Sequence, residues 1–129
     1  MSDYKIAAQL LAKSQQELQA LHEMRDNANI VDEIFGFMAQ QAVEKALKAW
    51  MAAKNIPYAL THDLSILLAD LKNNGENIEG FWDLIDLNPY AVQFRYETLS
   101  LEEPPIDRQK LINQVKEIIK IVKTIIDHS

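Results

Sequence analysis

The stretch FMAQQAVEKALKAW (residues 37–50) decides the fold class, because its apolar residues recur at the spacing of an amphipathic helix. The pattern continues on both sides and predicts a helix from about residue 30 to about residue 54. Its apolar arc is wider than one packing face requires, which predicts a central helix that contacts several others. The remaining sector contains Gln40, Gln41, Glu44, Lys45 and Lys48, interrupted by Phe37 and Met51.

The sequence before and after this helix predicts further helices. Apolar residues at helical spacing indicate a first helix from Tyr4 to about Arg25. Pro57 predicts that the second helix stops just before it. The stretch THDLSILLADL (residues 61–71) predicts a third helix with Thr61 as its N-cap, His62 at the first helical position and Asp63 in the first turn. The motif NNG predicts a left-handed end to this helix.

The second half of the chain predicts a broken helix, a loop and a final helix. Pro89 lies in IEGFWDLIDLNPYAVQFRYE (residues 78–97) and predicts a kink or a split there. We assign Phe81, Trp82 and Phe94 to packing. The adjacent prolines of LSLEEPPID predict a loop, and Asp107 is expected to cap a last helix that continues to the end of the chain.

These elements predict an all-α fold, an antiparallel up-and-down bundle of four main helices plus a shorter one. The 129 residues are long enough for one core, so we expect one domain over residues 1–129. Three glycines and four prolines leave little material for the turns of an all-β chain.

Composition excludes several function classes. A net charge of -6 without a long basic patch argues against binding of nucleic acid. The absence of cysteine excludes disulfides and thiolate metal sites. No histidine or carboxylate pattern has metal-ligand spacing, and His22 and His128 are expected at the surface. We find neither a signal peptide nor a membrane-spanning stretch, which predicts a soluble cytoplasmic protein.

The polar sector of the second helix has two interpretations. In the first interpretation the sector is simply exposed to water, and Glu44 and Lys48 form an i,i+4 ion pair. Alternatively, Gln41, Lys45 and Lys48 direct amide and ammonium donors into a cleft for an anion. Helix geometry alone leaves both interpretations open.

His62 and Arg95 also have two interpretations each. His62 is either a residue of a helix end or part of a phosphate site at that helix N-terminus. Arg95 either pairs with a nearby carboxylate of Asp83, Asp86 or Glu97, or binds a phosphate, with Tyr96 or Tyr90 offering an aromatic face to a base.

The segments FMAQQAVEKALKAW, THDLSILLADL and NPYAVQFRYE, in this order and spacing, resemble the HEPN (higher eukaryotes and prokaryotes nucleotide-binding) family over roughly residues 5–126. The resemblance implies a bundle of four or five helices, usually a homodimer, often paired with a separate nucleotidyltransferase, sometimes as toxin and antitoxin. It also implies, for many members, ribonuclease activity from an arginine followed by a histidine after four to six residues.

The ribonuclease motif is absent from this sequence. The residues that follow Arg25, Arg95 and Arg108 are DNANIVDE, YETLSLEE and QKLINQVK, and none includes a histidine. Acid–base cleavage of RNA by that route therefore has no evident agent, and we assign no catalytic residue.

Our leading interpretation is a non-catalytic HEPN protein that binds a nucleotide such as ATP or GTP and acts as a dimeric partner of a nucleotidyltransferase. The predicted nucleotide-binding residues are Gln41, Lys45, Lys48, His62, Arg95 and Tyr96. One alternative is a ribonuclease toxin with a degenerate site that uses Arg95 and His62. Another is an interaction module whose dimer face is the apolar side of the last helix.

Overall fold

The computed structural model describes residues 3–93 and 104–128, and every regular element in these two ranges is helical. The elements are α1 (Tyr4–Met24), α2 (Asp32–Ala53), α3 (Leu64–Asn73), a 3₁₀ helix (Trp82–Leu87), α4 (Asn88–Gln93) and α5 (Arg108–Asp127). The predicted all-α bundle of four main helices and a shorter one is confirmed. None of the helices in the described ranges is both long and apolar enough to cross a membrane.

Helix α2 is the centre of the bundle, as its wide apolar arc predicts. Fourteen of its 22 residues are buried, and it contacts every other α-helix. Small residues allow α1 to approach it closely, so that the buried Ser14 hydroxyl donates to the Ala42 carbonyl at 2.8 Å. The Asp3 amide, before α1, donates to the carbonyl of Ala52 near the end of α2 at 3.2 Å. The two helices are therefore antiparallel.

Helix α5 packs against both α1 and α2 and closes the core. Arg108, its first residue, donates to the carbonyl of Met24 at the end of α1, whereas Ile125 packs near Ala7 at the beginning of α1. Helices α1 and α5 are therefore antiparallel. Five apolar residues of α5 are buried in this chain's own core: Ile112, Val115, Ile118, Ile119 and Val122.

The end of α2 reverses the chain direction before α3 through a left-handed residue. Asn55 has a φ of 58°, and the Ile56 amide donates to the Met51 carbonyl at 2.8 Å. This is a left-handed helix ending, in which an asparagine takes the position that glycine usually occupies. Pro57 follows directly, and the prediction that the helix stops before it is confirmed.

The predicted start of the third helix is wrong by two residues. The N-cap is Asp63, whose carboxylate accepts a hydrogen bond from the Ser65 amide at 2.9 Å, and α3 begins at Leu64. Thr61 instead accepts a hydrogen bond from the Asp63 amide at 3.0 Å and forms a turn before the helix. His62 therefore lies outside the helix. The Asp107 cap of α5 is confirmed, since its carboxylate accepts from the Lys110 amide.

The fourth stretch splits, as predicted, but the break comes before Pro89. The 3₁₀ helix ends at Leu87, and Pro89 is the second residue of α4, where its missing N–H needs no intrahelical partner. The 3₁₀ period of three residues per turn rotates side chains differently from an α-helix. Phe81 is buried as predicted, but Trp82 is 47% exposed, which contradicts its assignment to packing. Phe94, the third residue assigned to packing, lies outside the described residues.

Candidate functional site

Two polar side chains of α2 are buried. Gln40 is fully buried and Glu44 is 6% exposed. Buried polar groups need hydrogen-bond partners, and both have partners at His62, in the loop before α3. Gln40 Nε2 donates to the His62 carbonyl at 3.0 Å, and Glu44 Oε1 lies 2.8 Å from His62 Nδ1. The interpretation that the whole polar sector is exposed to water is therefore wrong.

Glu44 is the centre of a group that we call the Glu44 cluster, formed by Gln40, Glu44, Lys48 and His62. Glu44 Oε1 accepts a hydrogen bond from Gln40 Nε2 at 3.1 Å, and Oε2 accepts one from Lys48 Nζ at 2.9 Å. The Lys48 contact is the i,i+4 pair that the sequence predicts. The side chain of His62 is 60% exposed, whereas that of Glu44 is 8% exposed. The cluster therefore exposes an imidazole to solvent, and a buried carboxylate holds this imidazole on its protein-facing side.

A second set of polar contacts continues from this cluster to α1. Gln41 Nε2 donates to Gln40 Oε1 at 2.7 Å, and Lys45 Nζ lies 3.4 Å from Gln41 Oε1. Lys45 Nζ also forms an ion pair with Glu17 Oε2 of α1 at 2.6 Å. Side chains from α1, α2 and the loop before α3 thus form one continuous hydrogen-bonded network, and we call its partly exposed outer side the polar surface.

The loop before α3 is fixed at His62 and at the residues that follow it. Gln40 holds the His62 carbonyl, and the next residue, Asp63, is tied to the start of α4. Asn88 Nδ2 donates to Asp63 Oδ1 at 2.9 Å, while Asn88 Oδ1 accepts from the Leu64 amide at 2.9 Å. These two hydrogen bonds of Asn88 connect the start of α3 to the start of α4 and fix the backbone that carries the imidazole.

The structure brings together four of the six predicted site residues. Gln41, Lys45, Lys48 and His62 lie on the continuous polar surface, linked through Gln40 and Glu44. Arg95 and Tyr96 lie outside the described residues. Tyr90, the other candidate for an aromatic face, is only 4% exposed and therefore has no free face to offer a base.

The charges of this surface compensate one another. Lys45 is paired with Glu17, and Lys48 is paired with Glu44. Two ammonium groups and two carboxylates sum to zero, so an anion meets an uncompensated positive charge here only when His62 is protonated. The predicted donors are present, but the lysines are already engaged.

Sequence reasoning missed Glu17, Gln40 and the central role of Glu44. The spacing of Gln40, Glu44 and Lys48 at i, i+4 and i+8 is a signal that these side chains line up along α2. Glu17 has no such signal, because it is separated from Lys45 by 28 residues and meets it only through the packing of α1 on α2.

An aromatic ring lies next to the cluster. Lys48 Nζ is 5.9 Å from the centroid of the Tyr58 ring, within the range of a cation–π contact. Tyr58 is half-buried in the loop between α2 and α3. Through Lys48, this aromatic side chain borders the Glu44 cluster.

Burial by itself would raise the pKa of the Glu44 carboxyl, but hydrogen bonds from Lys48, His62 and Gln40 together hold that pKa below its ordinary value. A carboxyl with a lowered folded-state pKa stabilises the fold above the unfolded-state pKa, about 4.3 for glutamate. This stabilisation is lost as the pH falls through the lowered value. Glu44 is therefore ionised at neutral pH.

We expect the stability difference between the wild-type chain and Glu44→Gln to shrink as the pH falls below about 4.3. The glutamine cannot ionise, so the variant lacks the stabilisation that the wild-type chain loses in acid. Urea unfolding at neutral pH and at several acidic pH values measures the difference. Glu79→Gln, which removes an exposed carboxylate, is the control. A Glu44→Gln difference that stays constant with pH would contradict the expectation.

A hollow of about 390 Å³ on another surface is less suited to a phosphate. Its lining includes Asp83, Asp86, Asp107 and Lys110, so carboxylates outnumber ammonium groups among its described residues. Asp83 lies 2.8 Å from Lys110 Nζ and raises the pKa of that lysine. Asp83, one of the carboxylates considered as a partner of Arg95, is therefore engaged by Lys110. In the described part of the chain, no three acidic, histidine or cysteine side chains are grouped to hold a metal ion.

Comparison with known proteins gives one match, which is to a family model. Neither a curated protein sequence nor a solved structure matches the chain. The family model described as the HEPN domain matches residues 7–125, nearly the whole chain. The matched range includes α2, α3, most of α1 and the loop that carries His62. The chain therefore belongs to the HEPN domain family.

Proposed function

We propose that the chain binds a nucleotide through its phosphates at the polar surface of α2 and His62. The observation that carries the proposal is the position of His62, exposed to solvent and hydrogen-bonded to a buried carboxylate beside the α2 lysines. An imidazole and two ammonium groups supply donors for phosphate oxygens. Tyr58, next to Lys48, supplies a ring against which a base can pack.

The proposed site also includes Arg95 and Tyr96, which follow the end of α4 by two and three residues in the sequence. A guanidinium would add a bidentate phosphate contact and a charge that Glu17 and Glu44 do not already compensate. The expectation for these two residues rests on the sequence. Arg95→Ala is therefore a necessary variant in any binding experiment.

We expect isothermal titration at low ionic strength to detect binding of ATP or GTP, and His62→Ala to weaken it by about tenfold, since one charge-assisted hydrogen bond contributes about 1.4 kcal/mol. Lys45→Ala should weaken binding similarly if the ligand displaces Glu17. Lys120→Ala, on the exposed side of α5, is the matched control for loss of one positive charge. Absence of heat with both nucleotides, or equal effects of His62→Ala and Lys120→Ala, would refute the proposal.

Family membership supports the second part of the proposal, that the chain is a homodimer and a partner of a nucleotidyltransferase. Five apolar residues of α5 are buried in this chain's own core, which argues against the apolar side of that helix as the dimer face. Sedimentation equilibrium tests the dimer. Co-purification with a co-expressed nucleotidyltransferase tests the partnership, and recovery of both as separate monomers would contradict it.

A ribonuclease is the second candidate function, and the contact between Glu44 and His62 favours it. A carboxylate that orients an imidazole is a common arrangement for proton transfer. Incubation of the pure chain with RNA distinguishes the candidates. Cleavage that disappears in both His62→Ala and Arg95→Ala would support the ribonuclease, and intact RNA would exclude it.

A further inference from the structure

The contact between Glu44 and His62 fixes which nitrogen of the imidazole faces a ligand. His62 Nδ1 lies 2.8 Å from Glu44 Oε1, and a carboxylate can only accept a hydrogen bond. The proton of a neutral ring is therefore on Nδ1, and Nε2 is left as an acceptor. A phosphate oxygen is also an acceptor, so the neutral ring offers nothing to it at Nε2. A protonated ring carries a donor on both nitrogens.

The charged groups around His62 lead to the same requirement. Glu44 and Lys48 reach it from α2 and compensate one another, and Lys45 is paired with Glu17 of α1. Asp63, the adjacent residue, accepts hydrogen bonds from the neutral donors Ser65 and Asn88 and therefore keeps its negative charge. Tyr58 is the titratable group of the loop that lies next to Lys48. With a neutral ring the ion pairs leave no net positive charge for a phosphate.

We propose that Glu44 is a positioning residue for His62 and that the ligand is recognised by the protonated imidazole, so that binding takes up one proton at Nε2. The ligand chemistry is a phosphate dianion, which rests on the proposed nucleotide-binding function. The proton comes from solvent and no covalent bond is made or broken in the ligand. Glu44 holds the ring through Nδ1, and because Lys48 already compensates the charge of Glu44, the protonated ring adds one net positive charge.

Proton uptake is measured directly by titrating ATP into the full chain in two buffers of different ionisation enthalpy. Imidazole side chains change charge between about pH 5 and pH 8. Toward the alkaline end of this range we expect uptake of close to one proton and an affinity that falls about tenfold per pH unit. Toward the acidic end the uptake by His62 should approach zero, because the ring is already protonated, and the terminal phosphate of ATP, whose second pKa is about 6, should release a proton when it binds as the dianion. His62→Gln should bind weakly, without this proton uptake.

Glu44→Gln separates positioning from a merely structural role. The glutamine keeps an oxygen that can accept from Nδ1 but removes the negative charge, so the pH profile of affinity should move to lower pH. Long-range ¹H–¹⁵N spectra of the ligand-free chain should show the proton of the neutral His62 ring on Nδ1. A ring with its proton on Nε2, or an unmoved profile in Glu44→Gln, would overturn the inference.

The two proposals fail in distinguishable ways. ATP binding that depends on His62 but takes up no proton overturns the proton-coupled recognition and leaves nucleotide binding in place. No heat from ATP or GTP at any pH overturns nucleotide binding and the inference with it. Proton uptake that persists in His62→Gln assigns the proton to another group and also overturns the inference.

Discussion

Substitution Arg108→Ala is expected to destabilise the folded chain by about 2–3 kcal/mol, because it removes a partly buried ion pair with Asp32 together with charge-assisted hydrogen bonds to backbone carbonyls. The Arg108 guanidinium donates to the carbonyls of Met24 and Ile30 and to the carboxylate of Asp32, at 2.9 Å and 3.1 Å for Met24 and Asp32. It also lies 4.9 Å from the centroid of the buried Phe35 ring. The substitution leaves these acceptors unpaired at the junction of α1, α2 and α5. Urea unfolding measures the loss.

Arg108→Lys and Arg25→Ala are the matched variants. Lysine keeps the charge but lacks the planar fork that binds several acceptors and stacks on a ring, so it should recover less than half of the lost stability. Arg25, at the end of α1, pairs with the exposed Asp26, and its removal should cost less than about 1 kcal/mol. Equal costs for Arg108→Ala and Arg25→Ala would show that the contacts of Arg108 do not stabilise the fold.

The sequence predicts well those features that depend on neighbouring residues. The helical periods of α1, α2 and α5 are local, and so is the cap that Asp107 provides to α5. Pro57 predicts the end of α2 through its own geometry. Arg108 shows the limit of this reasoning, because its acceptors lie 76 to 84 residues away in the chain. Only the packed bundle brings them together.

The start of α3 shows how tertiary contacts choose between two local solutions. Thr61 and Asp63 are both residues that favour the N-cap position. Asn88 contributes the deciding contacts, since it donates to the Asp63 carboxylate and accepts from the Leu64 amide. A residue 25 positions later thus favours the later start of the helix. It also places His62 in a loop, where its carbonyl is free to accept from Gln40.

The candidate site is predictable in position but not in charge. The polar sector of α2 and the motif THDL are visible in the sequence, and the structure brings them together. Which of these polar groups are buried depends on the loop that covers them. Gln40 and Glu44 are therefore buried in the site, whereas Lys45 and Lys48 form ion pairs with carboxylates. This redistribution leaves His62 as the group that decides whether the surface attracts an anion.

Gly36→Ala is expected to destabilise the chain by about 2 kcal/mol, within the range of overpacked cores, although alanine favours a helix by about 1 kcal/mol over glycine. A Cβ at this position of α2 would lie 2.5 Å from Cδ1 and 2.6 Å from Cγ of Tyr90. The Tyr90 ring is 4% exposed and packs in the core, so it has little room to move. Glycine is therefore required for α4 to approach α2.

A double-mutant cycle with Tyr90→Ala isolates this contact. Tyr90→Ala alone removes a buried ring and should cost about 3–5 kcal/mol, as for other large aromatic truncations. In that background the Cβ of Gly36→Ala meets no ring, so the substitution should become neutral or stabilise the chain by up to about 1 kcal/mol. A Gly36→Ala cost that is the same in both backgrounds would mean that the close approach of α4 to α2 does not limit this position. The start of α4 also holds Asp63 through Asn88, so loosening this approach should disturb the loop of His62 as well.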